Sequence, residues 1–395
     1  MRKLMKKIDA YIESKNISLR GIAKDIDVDY SVIRNGVKGS TSEMKLETFL
    51  LFVNKVYIDK ERRDIVNEFI KKCKAPLNIR KCLAYCQCAG EYYLMDHILE
   101  KQELKILRQK EVKKKNKGNK EKHELELHLD IYKLYNQRNN NLLKGQELLE
   151  DLYNLPLPKD EECLVLLDTL YMAAMYDIPN IHAMQPYADK IMSNLDNIEN
   201  AFIKSCLEMI CYERIAYVQL LRNDLDLCRV TCGKILSSKL DLPIIKATAY
   251  FCMGESFSQG KQSDICIAEN YMELAVKILE DVNTPRKTQK YKAFKTTLAH
   301  LFIENNFNLH KIDFSNIDIT EEAYYECEFG DYDKGMKLYK QIQEEGKWSP
   351  FVEYSFSKVT NDSEGLKRAL LSFESCGHTY YANLVKRSLL REGVL

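Results

Sequence analysis

The chain has 395 residues, with 59 Lys and Arg side chains against 58 Asp and Glu, and a formal net charge of +1. This balance excludes a polycation, so any contact with nucleic acid must come from a local basic patch. Only 15 Gly and 8 Pro interrupt long stretches in which apolar residues recur at helical spacing, which predicts an all-α protein.

The first fifteen residues, MRKLMKKIDAYIESK, have the pattern of an amphipathic basic helix. They lack the apolar core and the small-residue cleavage site of a signal peptide. No apolar run of 18 residues occurs anywhere in the chain. The sequence therefore predicts a cytoplasmic protein that has no membrane partner.

Residues 18–39, SLRGIAKDIDVDYSVIRNGVKG, form a pattern of two short helices separated by an acidic turn. Apolar side chains occupy the inward positions, and Ala23 is small where the two helices would cross. Asp27 stands where many such turns use a glycine with positive φ, a region that Asp tolerates better than most residues. The pattern predicts a helix-turn-helix head within residues 1–58, the arrangement that places a helix in the major groove of DNA.

The second helix of this motif would present outward side chains that suit base edges and phosphates, and the first would add basic residues. The predicted DNA-binding residues are Arg20, Lys24, Asp29, Tyr30, Ser31, Arg34, Asn35 and Lys38. One head seldom binds an operator well, so we expect a homodimer that binds two half-sites of duplex DNA. The alternative is a plain helical hairpin whose exposed side chains bind nothing.

A basic segment spans residues 101–122, with ten Lys or Arg against three acids. Around KKKNKGNK the apolar residues stop and Gly118 appears, which predicts an exposed loop between helices. Two interpretations stay open for this segment, a solvated hairpin tip and a nucleic-acid contact.

The 13 cysteines and 7 histidines show no catalytic or metal-binding spacing. Most cysteines lie in helical apolar patterns, where a reduced thiol packs as a small core residue. Cys82, Cys86 and Cys88 lack the spacing of a zinc site. His123 and His128 are five residues apart, which places them on different helix faces. The chain also lacks the glycine-rich phosphate loops and the nucleophile elbow, so the sequence predicts neither an enzyme nor a cofactor.

A weak repeat of a helix end, a polar turn and a second helix recurs along the chain, as in α-solenoids. Its copies begin near residues 89, 221, 259 and 329. Residues 250–279 come closest to a tetratricopeptide unit, because Gly254 would let paired helices approach and Ala268 and Ala275 would lie at the packing positions. Clear helices are also predicted over residues 163–176, 202–221, 244–257 and 268–279. We therefore expect a tetratricopeptide-like superhelix over residues 59–395, whose concave face is a peptide groove.

Polar side chains on that concave face could hold a peptide by its amides, its termini and its side chains. The predicted peptide-binding residues are Asn200, Glu213, Arg214, Tyr250, Glu255 and Glu321. For each residue, a solvated helix face is the alternative.

In the order of its elements the chain resembles the peptide-sensing regulators of Gram-positive bacteria and their phages, the Rap, Npr, Plc, Prg and Rgg group. Within this group it is most similar to the arbitrium receptors of Bacillus temperate phages. The resemblance lies in RNDLDLCRVTCGKILS from Arg222, YFCMGESFSQGKQSDICIAENYMELAVKIL from Tyr250, ITEEAYYECEFGDYDKGMKLY from Ile319 and VTNDSEGLKRALLSFESCGHTYYANLVKRSLLREG from Val359. It implies a homodimer that binds operator DNA, takes part in the lysis-lysogeny decision and responds to a short imported signalling peptide.

The resemblance also implies roles for individual residues. Glu255 falls where the family often has Asn beside the glycine, and Glu321 matches an acidic groove position. The C-terminal hairpins of the family form the dimer contact. This places Tyr380, Tyr381, Leu384 and Leu389 at or near the predicted interface.

Two other functions stay open at the level of sequence. A Rap-like repeat protein would act by binding a response regulator or another protein, and it would begin with a helical bundle that lacks a recognition helix. A bare scaffold would bind no small ligand. The outward residues between positions 30 and 38 distinguish a DNA-binding regulator from the first of these.

Overall fold

A computed structural model describes residues 1–112, 120–280, 282, 285–391 and 393, apart from the side chains of residues 59, 109–112, 120–124 and 285–287. In this part of the chain the secondary structure consists of 21 α-helices and three short 3₁₀ helices, with no strand. The predicted all-α class is confirmed.

The α-helices, in chain order, are α1 (Arg2–Ser14), α2 (Leu19–Asp25), α3 (Tyr30–Val37), α4 (Leu46–Val56), α5 (Asp59–Lys72), α6 (Pro76–Ala89), α7 (Tyr92–Val112), α8 (Lys120–Asn139), α9 (Gly145–Tyr153), α10 (Glu161–Asp177), α11 (Gln185–Leu195), α12 (Ala201–Leu221), α13 (Leu225–Leu236), α14 (Pro243–Glu255), α15 (Gln262–Glu280), α16 (Pro285–Glu304), α17 (Ile319–Phe329), α18 (Tyr332–Glu344), α19 (Pro350–Thr360), α20 (Ser363–Ser375) and α21 (Thr379–Arg391). The 3₁₀ helices are His182–Met184, Leu309–Lys311 and Phe314–Asn316.

The chain divides into two compact units. The first comprises Met1–Asn139 and Asn197–Leu207, and the second comprises Asn140–Asp196 and Glu208–Leu395. The sequence places a functional boundary at residue 58, and that boundary stays a prediction.

The core of the first unit begins with the apolar stripe of α1. Leu4 and Ile8 of this helix and Ile33 of α3 have no exposed surface. Phe49 of α4 stacks on Phe69 of α5, with ring centroids 3.8 Å apart. Because one side of α3 is held by this core, its opposite side is left to solvent.

The second unit contains the predicted tetratricopeptide hairpin, formed by α14 and α15. A methyl group on Gly254 would lie 2.8 Å from the carbonyl oxygen of Ala268, so the two helix backbones touch. Ala268 and Ala275 are fully buried, as the sequence predicts. Gly335 provides a similar approach between α17 and α18, because a methyl group there would lie 2.9 Å from the carbonyl oxygen of Ala323. These contacts fit the solenoid architecture, in which each helix pair packs on its neighbours.

None of the 13 cysteines, all of which lie among the described residues, forms a disulfide, and ten of them are buried, consistent with reduced core thiols. The basic segment is helical over residues 101–112, and the loop predicted around KKKNKGNK falls on residues 113–119, which, like the side chain of His123, lie outside the described residues. No helix among the described residues has the length and apolar character needed to cross a membrane.

Candidate functional site

The N-terminal head is built around a capped turn between α2 and α3. The Ser18 hydroxyl accepts a hydrogen bond from the amide of Gly21 at 3.2 Å and caps α2. Asp27 adopts a φ of 53°, the left-handed conformation that the sequence assigns to it. Asp29 then caps α3, since its carboxylate accepts a hydrogen bond from the amide of Ser31 at 2.7 Å. These local interactions fix the direction in which α3 leaves the turn.

The outward side of α3 carries most of the predicted DNA-binding side chains. Ser31, Arg34 and Lys38 are exposed, and Tyr30 and Asn35 are half-buried. On α2, Arg20 and Lys24 are exposed. The guanidinium group of Arg20 lies 5.2 Å from the centre of the Tyr30 ring. Sequence reasoning missed Val32, an α3 side chain that is 45% exposed and could contact a thymine methyl group.

Two predicted DNA-binding residues have partners within the head. The hydrogen bonds from Ser31 lower the pKa of Asp29, so its carboxylate stays ionised as a helix cap. The ammonium group of Lys38 lies 2.9 Å from Asp9 and 3.0 Å from Glu13 of α1. We therefore expect Asp29 and Lys38 to orient α3 rather than to supply its strongest DNA contacts.

In the second unit, Glu213 forms a buried ion pair. Its carboxylate accepts hydrogen bonds from the Thr248 hydroxyl and from the Lys290 ammonium group, each at 2.8 Å. Only 1% of Glu213 is exposed. The expectation that this side chain faces a ligand is corrected, because three helices of the same unit enclose it.

Glu255, at the end of α14, is buried against α21. Its carboxylate accepts a hydrogen bond from the Tyr381 hydroxyl, and its backbone carbonyl accepts one from the Tyr380 hydroxyl at 2.5 Å. Burial raises the pKa of Glu255 to about 7, although the Tyr381 hydrogen bond and nearby His300 act in the opposite direction. Glu255 is therefore a buried group that titrates near neutral pH, and its expected place in an open groove is corrected as well.

Glu321 belongs to a third buried cluster, centred on His300 of α16. The Nδ1 atom of His300 lies 3.2 Å from Glu321, and its Nε2 atom lies 3.9 Å from Glu304. Burial opposes the charged ring, but these two carboxylates outweigh it and raise the pKa of His300 to about 9. Lys358 contacts both oxygens of Glu304, at 2.9 and 2.8 Å. Two cations thus face two carboxylates, and Glu321 has an internal partner.

Arg214 lies in a different environment from its neighbour Glu213. Its Nε atom is buried and lacks a hydrogen-bond partner among the described residues. Tyr217 lies one turn further along the same side of α12. The Tyr217 ring lies 6.3 Å from the Tyr176 ring, and the Lys290 ammonium group lies 5.7 Å from its centre. We call Tyr176, Arg214, Tyr217 and Lys290 the cationic-aromatic surface. A buried donor without a partner marks it as a candidate ligand site.

The remaining predicted peptide contacts have intramolecular partners. Asn200 belongs to the first unit, where its side-chain oxygen accepts a hydrogen bond from the amide of Ile203 at 3.1 Å. Tyr250 is half-buried, and its ring lies 6.2 Å from that of Tyr271. Their predicted contacts with a peptide stay predictions.

The chain is similar to known proteins in sequence and in fold. Residues 62–391 match the AimR transcriptional regulator-like family. The chain belongs to this family. It is 25% identical over 260 residues to pXO2-35, an uncharacterized protein of Bacillus anthracis, an alignment that covers 64% of this chain and 94% of that protein.

Two solved structures share the fold of this AimR-like regulator. One is phAimR with a ligand, with a TM-score of 0.70 and 16% identity over 88% of this chain and 97% of that one. The other is selenomethionine phAimR, with a TM-score of 0.68 and 15% identity over 99% of this chain and 97% of that one. The predicted α-solenoid fold and the resemblance to arbitrium receptors are thus confirmed.

The predicted position of the dimer residues at or near an interface stays a prediction. Tyr380 is 2% exposed and Leu389 is fully buried, so these two side chains contact their own chain. Tyr381 and Leu384 are partly buried against the same core, which α19, α20 and α21 form together. The physical reason is that α21 turns its apolar stripe towards its own chain. Its exposed side chains, such as Leu390 at 60%, lie on the opposite side.

Sequence reasoning also missed the partners of several buried carboxylates. Thr248, Lys290, His300 and Lys358 were not singled out, although each contacts a carboxylate. The available signal was a polar side chain inside an otherwise apolar helical pattern, and that signal does not reveal which partner it will meet.

Proposed function

We propose that this AimR-like regulator binds operator duplex DNA through its head, residues 1–58, and that a short signalling peptide controls this binding from the repeat domain, residues 59–395. The observation that carries the proposal is the exposed side of α3, held in place by the capped turn that precedes it. By the resemblance to arbitrium receptors, the regulated process is the lysis-lysogeny decision of a phage. Such a regulator acts inside the cell, where its DNA is.

The DNA contact follows from the chemistry of the exposed side chains. Arg34 can donate two hydrogen bonds to the major-groove edge of guanine, and Asn35 can pair in a similar way with adenine. Arg20 and Lys24 on the preceding helix suit phosphates. These groups lie together on the solvent-facing side of α3, which supports a recognition role for this helix over the Rap-like alternative, which lacks a recognition helix.

A homodimer fits this mode of binding, because its two heads can contact two half-sites of the operator at a fixed spacing. The last hairpin supports this proposal through its exposed apolar side chains. Leu371 of α20 and Leu390 of α21 are 65% and 60% exposed. We propose that these side chains, rather than Tyr380 and Leu389, lie at the interface.

The peptide contact is supported by the cationic-aromatic surface. The guanidinium group of Arg214, whose Nε atom has no hydrogen-bond partner among the described residues, suits a carboxylate such as a peptide C-terminus. The rings of Tyr176 and Tyr217 can pack against apolar side chains of the peptide. The related protein phAimR has been solved with a ligand. To act as a signal, the peptide must bind the DNA-competent and DNA-incompetent shapes with different affinities.

A duplex selection tests the DNA part of the proposal. The full chain is mixed with a pool of duplexes that carry a random central segment, and the bound fraction is sequenced over successive rounds. We expect enrichment of a sequence with two inverted half-sites about one helical turn apart. A pool that shows no enriched sequence after repeated rounds would contradict operator recognition.

A peptide selection tests the second part. A random hexapeptide library is passed over the immobilised full chain and over the Arg214→Gln variant, with Lys337→Gln on the exposed side of α18 as the control. We expect the wild type and the control to retain a common set of peptides and the Arg214→Gln variant to lose it. Equal retention by all three chains would contradict the assignment of Arg214.

A further inference from the structure

A basic groove lies in the first compact unit, between the end of α5 and α7, and none of its residues is used in the function proposed above. Its volume is about 610 Å³. Its ionisable lining consists of Lys74, His97, Glu100, Lys101, Lys105 and Arg108. We call it the α7 groove. Four permanent cations face one carboxylate there, although the whole chain is nearly neutral.

The cations of the α7 groove follow one side of a single helix. His97, Lys101 and Lys105 are spaced four residues apart, and Arg108 follows three residues later, so their side chains share a face. At the rise of an α-helix, this row extends over roughly 16 Å. Lys105 and Arg108 are exposed. Within the described residues neither of them forms an ion pair, whereas nearby Glu103 pairs with Lys133 at 2.9 Å.

The groove is tied to the loop that follows the recognition helix. The Lys101 ammonium group donates hydrogen bonds to the carbonyls of Lys71 at 2.8 Å and Cys73 at 3.3 Å, and so holds α7 against the end of α5. Glu43, in the loop between α3 and α4, accepts a hydrogen bond from the amide of Lys74 at 2.8 Å. One wall of the groove is therefore bonded to the segment that leaves α3.

We propose that the α7 groove binds the sugar-phosphate backbone of the duplex that the head contacts. This inference rests on the proposed DNA-binding function. A nucleic-acid strand carries one negative charge about every 3.4 Å along its axis. Such a strand therefore matches an extended row of cations better than a ligand with a single acidic group does. Lysine and arginine side chains without acidic partners release counterions from DNA when they bind. Because a backbone contact does not read base edges, the groove adds affinity without adding sequence preference.

The test removes two charges from the groove while leaving its framework intact. Lys105→Gln combined with Arg108→Gln changes exposed side chains only and retains Lys101, which holds α7 in place. Lys337→Gln combined with Lys340→Gln removes two exposed charges from α18 in the other unit and serves as the matched control. Thermal melting of each full-length variant establishes that it is folded.

Affinity is measured by fluorescence anisotropy over a range of KCl concentrations, with a random-sequence duplex of about 30 base pairs and with the duplex enriched by selection. In the groove variant we expect the slope of log affinity against log salt to become about 1.8 less steep, by the same amount on both duplexes. The control should keep the wild-type slope.

Three results would overturn the inference. Unchanged slopes in the groove variant, with normal binding by the wild type, would refute the α7 groove and leave the head assignment standing. A decrease in slope that is confined to the enriched duplex would mean that Lys105 and Arg108 contact base edges and contribute to sequence preference. A wild-type chain that binds neither duplex would refute the proposed function and this inference together.

Discussion

Replacing Glu255 with Gln should remove a pH-dependent loss of stability from the second unit. Burial raises the pKa of this carboxyl group from 4.5 to about 7 in the folded chain. A raised pKa means that the folded state binds the proton more tightly than the unfolded state does. The stabilisation is fully present below pH 4.5 and is lost as the pH rises through 7. At 1.36 kcal/mol per pH unit, the full loss is about 3 kcal/mol, of which about 2 kcal/mol falls between pH 5 and 7.5.

Glutamine keeps the oxygen that accepts the Tyr381 hydrogen bond but cannot ionise. Urea unfolding of the wild type and of Glu255→Gln at pH 5 and pH 7.5 measures the difference, with Glu344→Gln at an exposed position of α18 as the control. We expect the variant to gain stability relative to the wild type at pH 7.5 and much less at pH 5. Parallel pH profiles for the wild type and Glu255→Gln would refute the argument that burial governs this group.

Two further predictions concern packing and assembly. Gly254→Ala should destabilise the second unit by about 1–3 kcal/mol, because the added methyl group meets the backbone of α15. Gly233→Ala on α13, where a methyl group meets nothing within 4 Å, should be neutral or slightly stabilising in the same urea experiment; equal losses would contradict the close approach. Leu371→Glu with Leu390→Glu should shift sedimentation from dimer to monomer, whereas Leu227→Glu, at a 57% exposed position of α13, should not. A double variant that sediments as a dimer would show that the interface lies elsewhere.

The features that the sequence predicted well depend on neighbouring residues. The left-handed conformation of Asp27 follows from the turn that joins two short helices, since few other residues accept that φ. The close approach at Gly254 follows from small residues at the crossing of a hairpin whose two helices are adjacent in the chain. Such contacts can be predicted from the sequence because both partners lie within about 20 residues of each other.

The partners of the predicted acidic residues could not be predicted from the sequence in this way, because they lie far along the chain. Glu213 meets Lys290 from a helix 77 residues away, and Glu255 meets Tyr381 from a helix 126 residues away. A polar residue in a helical pattern shows which side of its own helix it occupies, but not which later helix will cover that side. The register in which the repeats stack determines which later helix covers a given side, and this register cannot be predicted from degenerate repeats. For the same reason, the sequence could not show that the side chains of Tyr380 and Leu389 are buried within their own chain.

If α3 reads DNA sequence, the full chain must bind its enriched duplex more tightly than a scrambled duplex of the same composition, and the ratio of the two affinities measures this most directly. Anisotropy titrations at one fixed salt concentration give this ratio for the wild type and for Arg34→Ala combined with Asn35→Ala. Each lost base contact is worth about 1–3 kcal/mol, so we predict that the ratio falls by at least about tenfold in the variant while the affinity for the scrambled duplex changes little. A variant that keeps the wild-type ratio would contradict the account.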